Sequence, residues 1–469
     1  MHDEVKIIHQ CQVSPPQGSL PSSITLPLSY LDLPYFYCPN IKRIFFYNFP
    51  HSTQHFLQTS LPILKDSLSL TLQHFFPFSS KIIFPPKPQN PHILYSQGDS
   101  ITLTICESKS NFNYLISNSP KDLKIAYPFA SLIPSPSIIS QDGTLLLPTF
   151  AIQITVFPNF GFTICLTFRH EICDGKSFHH FIKFWSSLSK GNLENSSLSL
   201  PLHNRDMIHD PKELKQSFLE QIWNSPPNLE YTSANNNLLR HRFILTHHQV
   251  ENLKKWVRTK SQTIGLQTLH LSTFVVTCYL FWICMIKTKS QDDKNKSTIV
   301  DCDSNNDFED NYGFRFLMDL RNHFEVSTNY FGNCLGACVA TLPKWKLVGE
   351  NGICEAVNSI GREIKSFSDP LIGVEKLMFH QRINESGIKS HNMILAVGSP
   401  KFNVYETDFG WGKPLLSENI HVDNSSILCF SDSKDEDCVI EVGMVLDGDQ
   451  IKKFSDVLEA QLRDIVGPK

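Results

Sequence analysis

The chain has 469 residues, 41% of them hydrophobic and 19% charged, which is enough apolar sequence for a large core and excludes a disordered chain. Lys and Arg total 42 against 46 Asp and Glu, a net charge of -4 that argues against nucleic acid as the main partner. Thirteen scattered cysteines with no CxxC pair do not make a disulfide framework. With no basic flank and apolar run at the N-terminus to form a secretory signal, they read as reduced thiols of a cytoplasmic protein.

The length suits more than one domain. In the first half, Leu64, Leu68, Leu72 and Phe75 recur at helical spacing behind Pro62, which suits a first turn, and the pattern stops before Pro77. Ile101 to Ile105 alternates as a strand. Phe150 to Phe157 alternates too, with Ile152, Ile154 and Val156 on one side. Pro158 to Gly161 is a turn, and Phe162 to His170 is the returning strand. A helix is predicted from about Ser177, with Phe178, Phe181, Ile182, Trp185 and Leu188 on one face. Residues 189–237 turn rich in Ser, Asn and Pro around one amphipathic piece, Pro211 to Trp223, and read as a linker between an N-terminal domain, 1–188, and a C-terminal domain, 238–469.

In the second half a helix is predicted near His247 to Thr259. The run from Leu271 to Ile286 is shorter than the roughly 20 apolar residues a membrane span needs, so it reads as a buried core helix. An acidic, solvated loop is expected around Gln291 to Asp310. The chain ends in a strand, Val439 to Leu446, and a helix carrying Ile451, Phe454, Leu458 and Leu462. Strands alternating with helices in both halves predict an α/β fold with mixed sheets.

The strongest local signal for chemistry is Arg169-His170-Glu171-Ile172-Cys173-Asp174-Gly175. His170 closes the apolar row Phe162, Ile164, Leu166, Phe168 at the exit of a strand, with Asp174-Gly175 turning into the next helix. An imidazole there is placed to face a channel, and its pKa near 6.5 suits a general base; a packed core histidine at a turn fits the same spacing. Zinc is disfavoured, because an HExxH site needs two histidines on a helix and Asp174 stands in the fifth position. His179 and His180 are adjacent, point apart, and read as helix surface and core edge. Cys165 falls on the opposite strand face from His170, where a buried thiol is inert. The chain lacks GxGxxG, P-loop and GxSxG patterns. A second signal is Asp408-Phe409-Gly410-Trp411-Gly412, whose glycines mark a sharp bend or a close backbone approach. Its Trp411 carries an indole N–H that could meet a reacting oxygen. A third is Tyr330-Phe331-Gly332-Asn333-Cys334, entering an apolar strand.

Together, His170-x-x-x-Asp174-Gly175 and Asp408-Phe409-Gly410-Trp411-Gly412 resemble the paired signatures of the plant BAHD acyltransferases. Tyr330 to Cys334 resembles the YFGNC motif of the branch that acylates flavonoid and anthocyanin glycosides. Leu26 to Pro34, Phe45 to Pro50 with Leu61 to Ser69, and Val348 to Gly352 are similar to other segments of that branch. The resemblance implies two chloramphenicol-acetyltransferase-like α/β domains with the active-site channel at their interface, acyl-CoA entering from one side and the acceptor from the other. In that frame His170 is the general base and Trp411 the candidate donor to the tetrahedral oxyanion. Asp174 points away from the channel and pairs with an arginine of the second domain, here Arg321 in Met318-Asp319-Leu320-Arg321-Asn322. Gly175, Asp408, Gly410 and Gly412 support the structure.

The branch most often uses malonyl-CoA, whose free carboxylate needs a cation. Lys176 and Lys413, each beside a signature, are the candidates, and Lys254 and Lys255 resemble a stretch near the CoA phosphates. Glu171-Ile172-Cys173 replaces small residues usual in the branch, and Leu320 stands where a cysteine is common; the first difference points to an altered acceptor pocket. The expectation is a cytoplasmic monomer that moves a malonyl group from malonyl-CoA to a phenolic or flavonoid glycoside, with no metal, no permanently bound cofactor and no nucleic-acid or membrane partner. An acetyl or hydroxycinnamoyl donor, an alkaloid acceptor, and a catalytically silent ligand-binding relative are the alternatives.

Overall fold

A computed structural model describes residues 5–191, 199–210, 212–227, 237–265, 271–296, 310–366, 388–435 and 437–466. In the first half the strands are β1 (Lys6–Val13), β2 (Ser23–Pro27), β3 (Ile41–Asn48), β4 (Lys81–Phe84), β5 (His92–Ser96), β6 (Ile101–Glu107), β7 (Lys121–Asp122), β8 (Ser137–Ile138), β9 (Leu145–Pro148), β10 (Phe150–Phe157) and β11 (Gly161–Phe168). Its main helices are α1 (Leu61–Leu72) and α2 (Gly175–Ser189), and α3 (Leu214–Asn224) follows in the predicted linker. The second half has strands β12 (Leu239–Thr246), β13 (Asn311–Asp319), β14 (Leu335–Pro343), β15 (Met393–Gly398), β16 (Leu416–Asn419), β17 (Ile427–Ser431) and β18 (Cys438–Leu446). Its long helices are α4 (His247–Thr263), α5 (Thr273–Lys296), α6 (Gly352–Ser366) and α7 (Gly448–Val466).

The alternation in β10 and β11 has a direct physical outcome. The two form an antiparallel hairpin in which Phe150 faces Phe168 and Phe157 faces Gly161. The loop between them uses Asn159 at φ 68, a left-handed conformation that asparagine tolerates. A Cβ at Gly161 would meet the Tyr47 carbonyl at 2.4 Å, so close strand packing needs glycine there. Both strands are buried on both faces. Ile152, Ile154, Ile164 and Leu166 join the main core, while Phe157 and Cys165 pack on the other side with Ile44 and Phe46. Helix α2 lays Phe178, Phe181, Ile182 and Trp185 inward, and the Trp185 indole donates to the Leu64 carbonyl of α1 at 3.2 Å. Helix α5 is buried continuously from Val275 to Ile286, as an all-apolar helix must be, and packs against α4, α6 and α7. No helix among the described residues is long and apolar enough to cross a membrane. The acidic loop falls partly on α5, whose backbone runs to Lys296, and residues 297–309 lie outside the described residues.

The sheets do not respect the division of the chain. A six-stranded sheet has the order β1-β6-β10-β11-β3-β16 and a seven-stranded sheet the order β14-β13-β15-β17-β18-β12-β7. A third, β2-β5-β4-β9-β8, lies wholly in the first half. Strand β16 thus leaves the second half to pair with β3, Leu416 opposite Phe46 and Asn419 opposite Arg43. Strand β7 crosses the other way to pair with β12, Leu239 opposite Asp122. One apolar core runs continuously from Val13 to Ile465 through both halves.

Candidate active site between the two halves

Strand β11 ends at Phe168, and residues 169–174 form a loop before α2. His170 sits in it, half-buried, with its ring stacked on Tyr35 at 3.9 Å between centroids and 7° between planes. Of its two ring nitrogens, Nδ1 is buried without a hydrogen bond of good geometry. Burial pulls the imidazole below its usual range, while its own carbonyl, the charge of Asp174 and the Asn333 side chain act in the opposite direction. A histidine kept neutral in this way offers Nε2 as a base at physiological pH. The residues after it turn inward. Ile172 and Cys173 are fully buried in the core, and Glu171, 2% exposed, meets Arg169 at 3.5 Å. The bulk of this unusual triplet is therefore absorbed by the protein interior.

Asp174 caps α2, its Oδ1 accepting from the Ser177 N–H at 2.9 Å. It is fully buried and lies 2.9 Å from Arg321 Nη1, with a second bond from Arg321 Nη2 at 3.1 Å. Arg321 also donates to Asp319, Ser177 and the Tyr330 carbonyl. Burial would lower its pKa, but Asp174 and Asp319 outweigh that and raise it. Gly175 is the first residue of α2 and is not a left-handed turn residue. Its role is space, since a Cβ there would meet the Phe402 ring at 2.9 Å.

Segment 330–334 from the second half closes over this loop. The Tyr330 ring has two guanidiniums near its centroid, Arg205 at 5.3 Å and Arg321 at 5.7 Å. Phe331 packs against Phe75 and Phe78. Gly332 must lack a side chain because a Cβ would sit 2.6 Å from Arg205. The Cys334 N–H donates to Asp174 at 3.1 Å.

Trp411 belongs elsewhere. Its indole packs edge-on against Phe162 at 5.7 Å and Phe49 at 6.5 Å, beside the opening residues of β11. A strand advances about 3.3 Å per residue, so the six steps from Phe162 to Phe168, where β11 ends, put the indole on the order of 20 Å from the His170 loop. The oxyanion role expected for Trp411 is therefore corrected: the side chain is at the wrong end of the strand. Asp408 explains what the loop does. Its Oδ1 accepts from the Gly410 N–H at 2.8 Å and the Gly412 N–H at 2.9 Å, holding the two glycines at φ 110 and 94. Its other oxygen meets Lys190, just past α2, at 2.6 Å. Phe409 fills the core against Trp185 and Tyr47. The loop pins the second half to α2 and leads straight into the crossing strand β16.

The lysines are likewise dispersed. Lys176 is near the His170 loop but forms an ion pair with Asp319 at 2.8 Å. Lys413 is exposed beside Trp411, at the far end of β11. On α4, Lys254 pairs with Glu251 at 2.7 Å and Lys255 is exposed. Among the described residues no hydrogen bond or ion pair joins any of the four to His170. Cys165 and Cys173 are buried, with their thiols pushed up, to about 12 for Cys165, which removes them as nucleophiles. His179 is no surface residue: it is 6% exposed, with Nδ1 2.6 Å from the Gly175 carbonyl and its ring stacked on Phe402. No group of three or more metal-ligating side chains occurs among the described residues.

Three site residues carried little or no signal of their own. Arg205 lies in the stretch that reads as a linker, Tyr35 in a short 3-10 turn, and Asp32 in the segment recognised only by its similarity to the glycoside branch. All three are buried at the loop.

Two α/β halves with mixed sheets that exchange strands are the arrangement of the chloramphenicol-acetyltransferase-like fold. The fold matches that of vinorine synthase with a TM-score of 0.67 over 96% of each chain, at 17% identity. The sequence matches the Transferase family over residues 4–461, and the chain belongs to that family, the BAHD acyl-CoA-dependent acyltransferases. It is 34% identical to a coumaroyl-CoA:anthocyanidin 3-O-glucoside-6''-O-coumaroyltransferase of Arabidopsis thaliana, over 98% of this chain and 97% of that one. It is 30% identical to a malonyl-coenzyme A:anthocyanin 3-O-glucoside-6''-O-malonyltransferase of Dahlia pinnata, over 98% of each.

Proposed function

We propose that this acyltransferase moves an acyl group from an acyl-CoA to a hydroxyl of a phenolic glycoside, with His170 as the general base. The observation that carries the reading is His170 itself: an imidazole in the interface between the halves, Nδ1 buried, its pKa lowered by burial. In the reaction, Nε2 takes the proton of the acceptor hydroxyl as its oxygen attacks the thioester carbonyl. The tetrahedral intermediate collapses, the C–S bond breaks, and the imidazolium returns the proton to the CoA thiolate. The buried, proton-holding cysteines fit a route with no acyl-enzyme. Acyl-CoA is a co-substrate in this scheme, and the enzyme works as a cytoplasmic monomer.

Malonyl is the donor expected from the sequence, and the Dahlia relative uses it by name. A hydroxycinnamoyl donor is the second reading, and a specific observation favours it. Lys176 is already paired with Asp319, and Lys413 stands at the far end of β11. Neither of the lysines expected from the sequence is therefore placed to meet a donor carboxylate beside His170, and an uncharged aromatic acyl group needs no such cation. A donor panel tests both levels. Malonyl-, acetyl- and coumaroyl-CoA are offered with mixed phenolic glycosides, and products are read by mass. Transfer from at least one donor is expected, and the mass added names the acyl group. Absence of transfer from all three would overturn the glycoside reading.

A further inference from the structure

The general-base scheme gives Tyr330 to Cys334 no task, yet its Asn333 side chain reaches the base's own residue. Asn333 is fully buried. Its Nδ2 donates to the His170 carbonyl oxygen at 2.9 Å and to Asp32 Oδ1 at 2.9 Å. Its backbone N–H donates to the same Asp32 oxygen at 3.1 Å. Asp32, also fully buried, is closed on its other oxygen by the Ser29 N–H and hydroxyl, each at 2.9 Å, and by Arg205 Nε at 3.3 Å. Arg205 continues to the Ile172 carbonyl at 3.2 Å and to the Phe331 carbonyl. The first and third residues of the stretch His170 to Cys173 therefore have their carbonyls held by one buried network. The Asp174–Arg321 pair grips the loop four residues later, and none of its hydrogen bonds reaches residue 170.

We propose that Asn333 is a positioning residue for His170, and that Asp32 and Arg205 hold its amide in place. The inference rests on His170 being the base. The ring is stacked on Tyr35 and carries no side-chain hydrogen bond of good geometry at Nδ1, so its placement depends on where the backbone of residue 170 is fixed. A base displaced by about 1 Å loses on the order of 100-fold in rate. Three segments distant in sequence converge on this point: Asp32 before β3, Arg205 between the halves, and Asn333 before β14. The reacting geometry is thereby tied to the docking of the two halves, through a contact separate from the Asp174 pair.

Asn333→Ala is the test, with folding checked by circular dichroism and thermal melting before kinetics. The expected result is a cooperative melt, KM for both substrates close to the parental values, and kcat lower by about 10- to 100-fold. The acid limb of kcat/KM should also move to lower pH, because the Asn333 side chain helps to hold the imidazole's pKa up. Asn333→Gln, which retains an amide on a longer arm, should keep more of kcat than the alanine variant and is read alone if that variant does not fold. In that case a kcat below parental with KM unchanged and a moved acid limb supports the proposal. Parental kcat with an unmoved limb in whichever variant folds overturns it. So does a fall in rate no larger than the fall in folded fraction. His170→Ala separates the two levels: if that variant keeps its rate, the general-base reading fails first, whereas an inactive His170→Ala beside a fully active Asn333→Ala sinks only the positioning role.

Discussion

Two signature loops, Arg169 to Gly175 and Asp408 to Gly412, are built from the same materials and do different work. Each has an aspartate that accepts backbone N–H bonds and pairs with a cation. Asp174 is fully buried against an equally buried Arg321, whereas Asp408 is partly exposed against a half-exposed Lys190. The first loop presents a titratable ring between the halves. The second presents an aromatic anchor on the order of 20 Å away and feeds a strand into the other sheet. A pattern that is distinctive in sequence can therefore serve the assembly of the site and stand far from its chemistry.

The widest separation between the loops should appear in rate. His170→Ala is expected to lose about 10²- to 10⁴-fold in kcat while melting like the parent, which is the typical cost of a missing general base. Trp411→Ala should keep the kcat of its folded fraction; loss of activity with an unchanged melt would return the indole to the chemistry. In stability the order between loops is set by burial. Asp174→Asn leaves Arg321 short of its main partner and should cost about 3–5 kcal/mol in denaturant melts. Trp411→Ala loses two edge-on aromatic contacts and should cost about 1–3 kcal/mol. Lys190→Ala removes a solvent-screened pair and should cost about 0–1 kcal/mol. Equal losses for Asp174→Asn and Lys190→Ala would erase the contrast.

Acid sharpens the same comparison. In the proposed scheme His170 acts as the neutral base, and burial lowers its pKa, so the midpoint of the acid limb of kcat/KM should lie below the ordinary histidine value of about 6.5. Stability should respond earlier. Burial lowers His203 to about 4 and His421 to about 3. In the unfolded chain both take up protons near pH 6.5, so the unfolded state binds more protons below that pH. The folded state therefore loses stability progressively as pH falls from about 6.5 toward those values. Urea midpoints between pH 7 and 5 check this; a midpoint that rises on acidification would contradict the neutral, buried assignment.

Much of this was legible in the sequence where a local pattern and the tertiary structure demand the same thing. The β10–β11 hairpin follows from alternation around a turn, and α2 from its apolar face. Helix α2 starts two residues before the predicted Ser177, because Asp174 supplies the cap. The buried α5 follows from the length and apolarity of its run. What stayed hidden is what only a partner can specify. Strands β7 and β16 are two and four residues long, too short for a period to show, and each exists through a neighbour from the opposite half. Arg205 is masked by the Ser, Asn and Pro around it, and its burial follows from Asp32 and Tyr330, which are remote in the chain. Trp411 stands away from the expected place because membership of a distinctive motif says nothing about distance from the histidine.

The exchanged strands bear on how such enzymes can be recombined. A hybrid of two relatives joined anywhere in 189–237 would graft one parent's β16 onto the other parent's β3, and one parent's β7 onto the other's β12. The β16 seam is the longer, running from Leu416 opposite Phe46 to Asn419 opposite Arg43, with Ser417 accepting a hydrogen bond from Arg43 Nε at 2.9 Å. The mismatch would fall on sheet edges, remote from the join and invisible at it. A crossover that moves residues 400–421 together with the first half keeps β3 with its native neighbour, and keeps Phe402 over Gly175 and Asp408 beside Lys190. The natural unit of exchange in this chain is therefore discontinuous in sequence, set by which strands share a sheet.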